Sequence, residues 1–157
     1  MMMKMDDIAA SKSADRDFLQ MMIPHHEGAI NMADYEIAHG RNREMIQLAK
    51  SIKAEQEVQI RQMQLSLSKS ESLVVTGTQH IEPNKQMMVV MMDKMPSNKI
   101  PANTDKAFAA TMIPHHQAAI DMAKVELQYG ADKNTKRLAE MIISEEQVEI
   151  EQMKKIK

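Results

Sequence analysis

The chain has 157 residues and a formal net charge of −2 at pH 7, a length typical of one domain with a true core. This weak charge excludes strong attraction to nucleic acid or to an anionic membrane, and two Phe, two Tyr and no Trp give no stacking platform for single strands. The absence of cysteine excludes disulfides and thiolate sites, and the absence of an apolar run of about 18 residues excludes a membrane-spanning helix.

The first segment, residues 1–14, is rich in methionine, and we expect it to be flexible. The chain holds 18 methionines, roughly a ninth of its residues. A thioether fills helical cores well but also binds soft ions such as Cu(I). The N-terminal cluster of Met1, Met2, Met3 and Met5 is therefore a candidate for ion capture. It has no signal-peptide apolar stretch, so an exported protein would have lost its signal before this sequence begins.

An internal repeat organises the rest of the chain, because residues 15–63 align with residues 105–153 without a gap. Each copy has the apolar period of two helices, and Gly40 is read as a helix stop. The predicted helices span Asp15 to His39, Asn42 to Ser66, Asp105 to Tyr129 and Asp132 to about Lys155. Two such hairpins must pack together, which predicts an all-α fold, a four-helix bundle.

We expect one bundle domain over residues 15–157, made of repeat one (15–66), a Met-rich connector (67–104) and repeat two (105–157). The connector is predicted to contain a short helix that ends at Pro96. Pro24 and Pro114 fall inside the first and third helices, and each removes one backbone hydrogen bond. A new helix beginning at each proline is the alternative. The apolar period continues across both positions, which favours one continuous, kinked helix.

One phrase is repeated almost unchanged 90 residues apart: Met22-Ile23-Pro24-His25-His26 recurs as Met112-Ile113-Pro114-His115-His116. Paired imidazoles framed by thioethers suit copper, in two equivalent sites or one shared site. At about 100° per residue the histidines straddle the inward helix face, and Met21 or Met22 lies one turn before them. Candidate ligands on these helices are His25, His26, Met21, Met22, Met32 and Glu36, and His115, His116, Met112, Met122 and Glu126.

The two glutamates have a competing interpretation. A buried carboxylate must be paired, hydrated or metal-bound, so Glu36 and Glu126 either join a metal site or form hydrogen bonds to core histidines.

The connector carries a second methionine pattern, predicted to form one thioether stripe on a helix. Only Val89 and Val90 supply ordinary aliphatic bulk between Lys85 and Lys99, which favours metal binding over core packing. His80 lies upstream and is a further candidate ligand. The stripe consists of Met87, Met88, Met91, Met92 and Met95.

The doubled Met-Ile-Pro-His-His phrase, with Ala-Ile and Met-Ala after each copy, resembles the bacterial DUF305 family. The likeness covers about residues 15–65 and 105–155. It implies an exported helical bundle of the ferritin-like type. The added methionine clusters resemble those of copper-binding members, which implies periplasmic or other extracytoplasmic copper sequestration and a role in copper resistance.

These observations predict a copper-binding protein rather than an enzyme. Cu(I) would take two to four Met and His ligands, Cu(II) would prefer imidazole with carboxylate help, and Ag(I) would act as a surrogate. Binding would weaken below about pH 6.5, the ordinary histidine pKa. The expected partners are copper ions and a copper efflux or sensor protein, with no nucleic acid and no membrane insertion.

Two alternatives remain open. A di-iron carboxylate enzyme needs two Glu-x-x-His motifs; the first copy has Glu36 and His39, with Glu55 as an extra carboxylate, but the second has Tyr129 in place of the histidine. The other alternative is a metal-free bundle whose methionine stripes bind a partner helix.

Overall fold

The computed structural model describes residues 10–69, 74–94 and 102–156, and within these ranges the chain forms α-helices and no strand. The helices are α1 (Ala14–His39), α2 (Arg43–Ser68), α3 (Ile81–Lys94), α4 (Thr104–Tyr129) and α5 (Lys133–Lys155). The predicted all-α fold is confirmed, and the predicted ends of the four long helices agree to within two residues. The predicted ligands Met1, Met3, Met5 and Met95 lie outside the described residues, as does Met2.

The four long helices begin where a short polar side chain can cap them. Ser13, Asn42, Asn103 and Asp132 each accept a hydrogen bond from the backbone N–H three residues later. Such a cap satisfies one of the orphan donors of the first turn and is typically worth about 1 kcal/mol. The chain therefore fixes these starting points locally, which explains the close agreement of the predicted boundaries.

The prolines do not divide their helices. α1 runs through Pro24 and α4 runs through Pro114 without a break. The prediction of continuous helices is confirmed and the alternative of a new helix at each proline is wrong. The reason is packing, because the apolar face of each helix is buried on both sides of its proline and this burial holds the two segments in line.

Helices α1 and α2 form one hairpin, α4 and α5 form the other, and the hairpins meet mainly through α1 and α4, with α3 against α4. α1 and α4 are antiparallel, because the loop after α1 bonds to the start of α4 and the loop after α4 bonds to the start of α1. In these loops Arg41 N–H donates to Asp105 (3.2 Å) and Ala131 N–H donates to Asp15 (3.1 Å). Contacts thus recur at a spacing of 90 residues, and the bundle has pseudo-two-fold symmetry.

Two apolar clusters occupy the two ends of the bundle. One includes Phe18, Met22 and Met63 and is covered by Met87 of α3. The other includes Phe108 and Met112 and has no counterpart of α3 among its members. The histidine pairs fall between the clusters in the order of residues along α1 and α4.

Gly40 and Gly130 end α1 and α4, but for a reason that the sequence did not reveal. Their backbones are extended, with φ of −69° and −74°, so neither adopts the left-handed conformation usual for such a glycine. A Cβ on Gly40 would lie 2.1 Å from an oxygen of the Glu36 carboxyl group, and one on Gly130 would lie 2.0 Å from that of Glu126. The glycines leave room for two buried carboxyl groups.

Candidate metal centre

A layer of polar side chains crosses the middle of the bundle, between the two apolar clusters. Each long helix contributes to it, because each has polar residues on the face that points into the core. Most of these side chains are buried, and Glu55 and Glu145 are partly exposed. We call this set the polar layer: His25, His26, Glu55, Gln56, Gln59, His115, His116, Glu145, Glu146 and Glu149.

At the centre of the layer the rings of His25 and His115 stack, with centroids 3.6 Å apart and planes inclined by 11°. The two residues are repeat equivalents, so the stack lies on the pseudo-two-fold axis. His25 Nε2 also lies 2.8 Å from the backbone oxygen of His115. Because the lone pairs of an imidazole lie in the ring plane, stacked rings cannot clamp one ion between their faces. A single copper site shared between these two faces is therefore excluded in this arrangement.

The outer histidines have unequal surroundings. His26 Nε2 lies 2.6 Å from Gln59 Oε1, whereas His116 Nε2 lies 2.7 Å from a carboxylate oxygen of Glu149. His116 Nδ1 is also 3.1 Å from Glu146, whose repeat equivalent is Gln56. The first repeat thus surrounds its outer histidine with neutral amides and the second with carboxyl groups.

The amides link the repeats across α2 and α5. Gln59 Nε2 donates to Glu145 over 2.8 Å, and Gln56 Nε2 donates to Glu146 over 3.4 Å. The helical period predicts Glu55, Gln59 and Glu149 on the inner face of their helices, whereas the sequence did not indicate Gln56 and Glu146. The spacing from Ile52 to Gln56 to Gln59 to Met63, which is i, i+4, i+7 and i+11, carries the signal that finds Gln56.

Burial keeps the imidazoles of the layer neutral. It lowers the pKa of His25 to about 4 and that of His26 to about 3, and it holds the pKa of His115 and His116 below the ordinary value. Neutral imidazole is the form that binds a metal ion. The ordinary pKa behind the expected weakening near pH 6.5 does not apply to these rings, so proton competition moves to lower pH.

The same burial acts oppositely on the carboxyl groups, because it disfavours whichever form is charged. It raises the pKa of Glu55, Glu145, Glu146 and Glu149 to about 7 in each case. Near neutral pH the imidazoles of the layer are therefore uncharged, and part of its carboxyl groups are protonated.

Glu36 and Glu126 lie far from the polar layer. Eleven residues separate Glu36 from His25, about 16 Å along a helix axis. Burial, and after it the neighbouring carboxylate of Asp105, raises the pKa of Glu36 to about 8. In the same way burial and the carboxylate of Asp15 raise the pKa of Glu126 to about 10. Each protonated glutamate can donate to its aspartate. The structure places neither glutamate beside the repeated histidines, as a metal ligand or as a hydrogen-bond partner.

Most of the methionines that were predicted as ligands on α1 and α4 are buried in the apolar clusters. Met22 and Met112 are 0% exposed, Met122 is 1% exposed and Met21 is buried, whereas Met32 is only partly buried. All five lie within two helical turns of a histidine in the polar layer, so the structure keeps them near the candidate centre.

The predicted stripe on α3 divides into two groups. Met87 is buried, Met88 and Met91 are partly buried against the core, and Met92 is 69% exposed. Met92 lies about 140° around the helix from Met87, too far for both to face the core. The four described methionines therefore span about 140° of the helix surface, and one edge of the predicted stripe packs in the core while the other faces solvent.

His80 stands just before α3 and is buried against α1. Its Nε2 lies 2.6 Å from Asp17 Oδ2, and both carboxylate oxygens of Asp17 accept from the backbone N–H of Ser11. The sequence did not indicate Asp17, whose repeat equivalent is Ala107. The hydrogen bond between His80 and Asp17 thus connects the start of α3 to α1.

Within residues 10–69, 74–94 and 102–156, no three His, Asp or Glu side chains are arranged to hold a metal ion. The di-iron interpretation finds no support in its first motif either, because His39 is exposed, with its ring tilted by 42° to that of Tyr35, while Glu36 is buried beside Asp105. A soft-metal site in the described residues would therefore need thioether ligands or movement of the polar layer.

Comparison with known proteins identifies the chain. The sequence matches DUF305, a domain of unknown function, over residues 1–67 and again over residues 65–157. The protein belongs to the DUF305 family. The resemblance seen in the repeated phrase is thus confirmed, and the two matches correspond to the two hairpins. No curated protein matches the chain.

Solved structures resemble this DUF305 protein over most of its length. The Ag-bound form of CopM is 28% identical, with a TM-score of 0.69, and covers 89% of this chain and 92% of its own. The Cu(I)-bound form is 29% identical, with a TM-score of 0.68 and the same coverage. A DUF305 fragment from Deinococcus radiodurans is 26% identical, with a TM-score of 0.67, and covers 90% of this chain and 93% of its own.

A DUF305 protein from Streptomyces coelicolor, described as predicted to be secreted, shares the fold at 21% identity with a TM-score of 0.66, over 92% of this chain and 90% of its own. Among the helices that the structure describes, none is long and apolar enough to cross a membrane.

Proposed function

We propose that this DUF305 protein binds copper, buffers or carries it outside the cytoplasm and contributes to copper resistance. The observation that carries the proposal is its similarity to CopM, whose Cu(I)-, Cu(II)- and Ag-bound forms match this chain at 28–29% identity over 89% of its length. Copper is the cargo in this proposal, passed on to an efflux or sensor protein.

The donor atoms of the chain suit that cargo. Cu(I) prefers soft thioether and imidazole ligands, while Cu(II) takes imidazoles with carboxylate help. The chain offers 18 methionines and no cysteine, so thioethers are its only sulfur ligands. Burial keeps the four repeated imidazoles in the neutral, ligating form.

Two groups of ligands differ in access. The imidazoles of the polar layer, Met22 and Met112 are buried, so an ion must pass between packed helices to bind there. Met88 and Met91 on α3 are partly exposed and Met92 is exposed, so an ion reaches them directly from solvent. We expect α3, together with the N-terminal methionines, to capture the ion and the layer to hold it.

Competitive titration with a Cu(I) chelator tests this proposal. The wild-type chain should bind Cu(I) with a Kd below about 1 μM, and replacing Met88, Met91 and Met92 by leucine should weaken binding by about tenfold or more. The matched control replaces the neighbouring Val89 and Val90 by leucine and should leave the Kd unchanged.

The metal-free alternative gives a different result. A ligand that binds the folded state must raise the melting temperature. A melting temperature that does not move with Cu(I) or Ag(I), together with no binding tighter than micromolar, would contradict the copper proposal and favour an interaction bundle that uses the exposed face of α3.

A further inference from the structure

The pseudo-two-fold symmetry of the bundle gives it two equivalent grooves, of which α3 fills one. Met87 of α3 lies in the same apolar cluster as Met21 of α1 and as Ala118 and Met122 of α4. This covered groove runs between the first half of α1 and the second half of α4. Its twin, 90 residues away in numbering, runs between the second half of α1 and the first half of α4; we call it the open groove.

The exposure of equivalent residues shows that the open groove lacks such a cover among the described residues. Every member of the covered set is buried, and every repeat equivalent is partly exposed. The covered residues and their equivalents are Leu19 and Ala109, Met21 and Thr111, Ala118 and Gly28, Ile120 and Ile30, and Met122 and Met32.

The open groove is also lined by smaller side chains. Ala109 stands where the covered groove has leucine, Thr111 where it has methionine, and Gly28 where it has alanine. Each change removes apolar volume from the same wall. The wall is therefore unsuited to bury a methionine-faced helix as tightly as the covered groove does, and it leaves deeper atoms within reach of solvent.

His115 is the buried side chain that lies behind this wall. Its Nε2 lies 3.4 Å from the position that a Cβ on Gly28 would occupy, so the glycine leaves this ring edge without a side-chain cover. His115 is 8% exposed, against 3% for its equivalent His25. The other nitrogen, Nδ1, is buried and accepts or donates no hydrogen bond among the described residues.

Met32 stands in the right place to join this histidine. It follows Gly28 by one helical turn and therefore lies on the same face of α1. A long side chain on a helix leans toward the N-terminus, which directs the thioether of Met32 toward Gly28 and the uncovered edge of His115. Met32 is partly exposed, whereas its equivalent Met122 is buried.

We infer that the open groove is the access route by which Cu(I) reaches the polar layer, with His115 and Met32 as its first ligands there. The covered equivalents, His25 and Met122, take no part while α3 is in place. This inference rests on the proposed copper function and assigns different roles to two halves that the sequence presents as equal.

Leucine replacements at the twin methionines test the inference. Met32→Leu should weaken Cu(I) binding at the polar layer by about tenfold, as expected for loss of one ligand. Met122→Leu is the matched control and should change the Kd by less than about twofold, because exchanges between Met and Leu are well tolerated in cores. The measurement is competitive chelator titration in a background where Met88, Met91 and Met92 are leucine, with thermal melts to check folding.

A second readout follows the methionine methyl groups by NMR during an Ag(I) titration in the same background. The Met32 resonance should shift in the first equivalent and the Met122 resonance should not. Gly28→Ala, which copies the covered groove, should weaken binding in the same direction as Met32→Leu. Equal effects of the two leucine variants, or a Met122 shift that precedes that of Met32, would overturn the inference. Wild-type protein without binding tighter than micromolar would instead overturn the copper function itself.

Discussion

At the scale of single residues, the repeated glutamates show how one buried group dictates its neighbours. Glu36 is fully buried against Gly40 and pairs with Asp105, which in turn accepts from the backbone N–H groups of Arg41 and Asn42. Burial is tolerable because the glutamate is neutral and the aspartate is stabilised by backbone donors. The glycine is needed for space, since the backbone there is extended.

Adding one methyl group at this glycine should therefore destabilise the fold. A Cβ on Gly40 would lie 2.6 Å from the backbone oxygen of Glu36 as well as 2.1 Å from its carboxyl group, and the backbone oxygen cannot rotate away. We expect Gly40→Ala to lower the free energy of unfolding by about 1–3 kcal/mol in urea denaturation.

Gly28→Ala is the control for this prediction. Its Cβ would meet His115 at 3.4 Å, an ordinary contact, and alanine favours the helix interior by roughly 0.5–1 kcal/mol. Equal stability of the two variants would contradict the assigned role of Gly40.

At the scale of elements, α3 has one face in the core and one in solvent. Met87 closes the apolar cluster over α1 and α4, and the pair of His80 and Asp17 holds the start of the helix. Val89, Val90 and Met92 point outward. The same residue type thus packs on one face and remains accessible on the other, so composition alone cannot tell core methionines from ligands.

Two substitutions on this helix separate those roles. Met87→Ala should cost about 2–5 kcal/mol of stability, because it leaves a cavity in the core, whereas Met92→Ala should change stability by less than about 0.5 kcal/mol. Chemical denaturation measures both. If the two variants lost the same stability, the division of α3 into a buried and an exposed face would be wrong.

At the scale of the whole molecule, two proton-holding carboxyl pairs tie the hairpins together. Glu36 of the first hairpin meets Asp105 of the second, and Glu126 of the second meets Asp15 of the first, with Asp132 and Lys136 also near Glu126. The aspartates accept from the loops after α1 and α4. A buried glutamate with a raised pKa therefore lies at each end of the α1 and α4 contact.

Alkaline pH should weaken this connection. The pKa values of Glu36 and Glu126, about 8 and about 10, exceed the ordinary value of 4.5, so the folded chain keeps protons that the unfolded chain releases. The two protonated glutamates contribute their full stability below about pH 4.5. This stability is lost as the pH rises through 8 for Glu36 and through 10 for Glu126, and each proton accounts for up to about 1.4 kcal/mol per pH unit.

The double variant Glu36→Gln, Glu126→Gln isolates this effect. It should show a shallower fall of the unfolding free energy than wild type between pH 8 and pH 9.5. The acidic side chains of the polar layer contribute little there, because their pKa values are about 7. Parallel curves for the variant and wild type would rule out protonated pairs.

Much of the fold was predictable because its determinants are local. Capping residues such as Ser13 and Asn42 and the apolar period set the helix ends, and the repeat required two hairpins to pack together. The inward position of the histidines also followed from helical spacing. Gln56 and Glu146 were missed because a polar residue at a core position resembles a surface residue until its partners on other helices are known.

The sequence by itself determined the helices, the pairing of two hairpins and the inward placement of His25, His26, His115 and His116, since these depend on caps and on the 3.6-residue period. Only the tertiary structure decided that Glu36 belongs with Asp105 rather than with the histidines, and that α3 covers one of two equivalent grooves. Both outcomes depend on contacts between residues 30 or more positions apart in the chain, where differences such as Asp17 against Ala107 or Gly28 against Ala118 make the two similar repeats unequal.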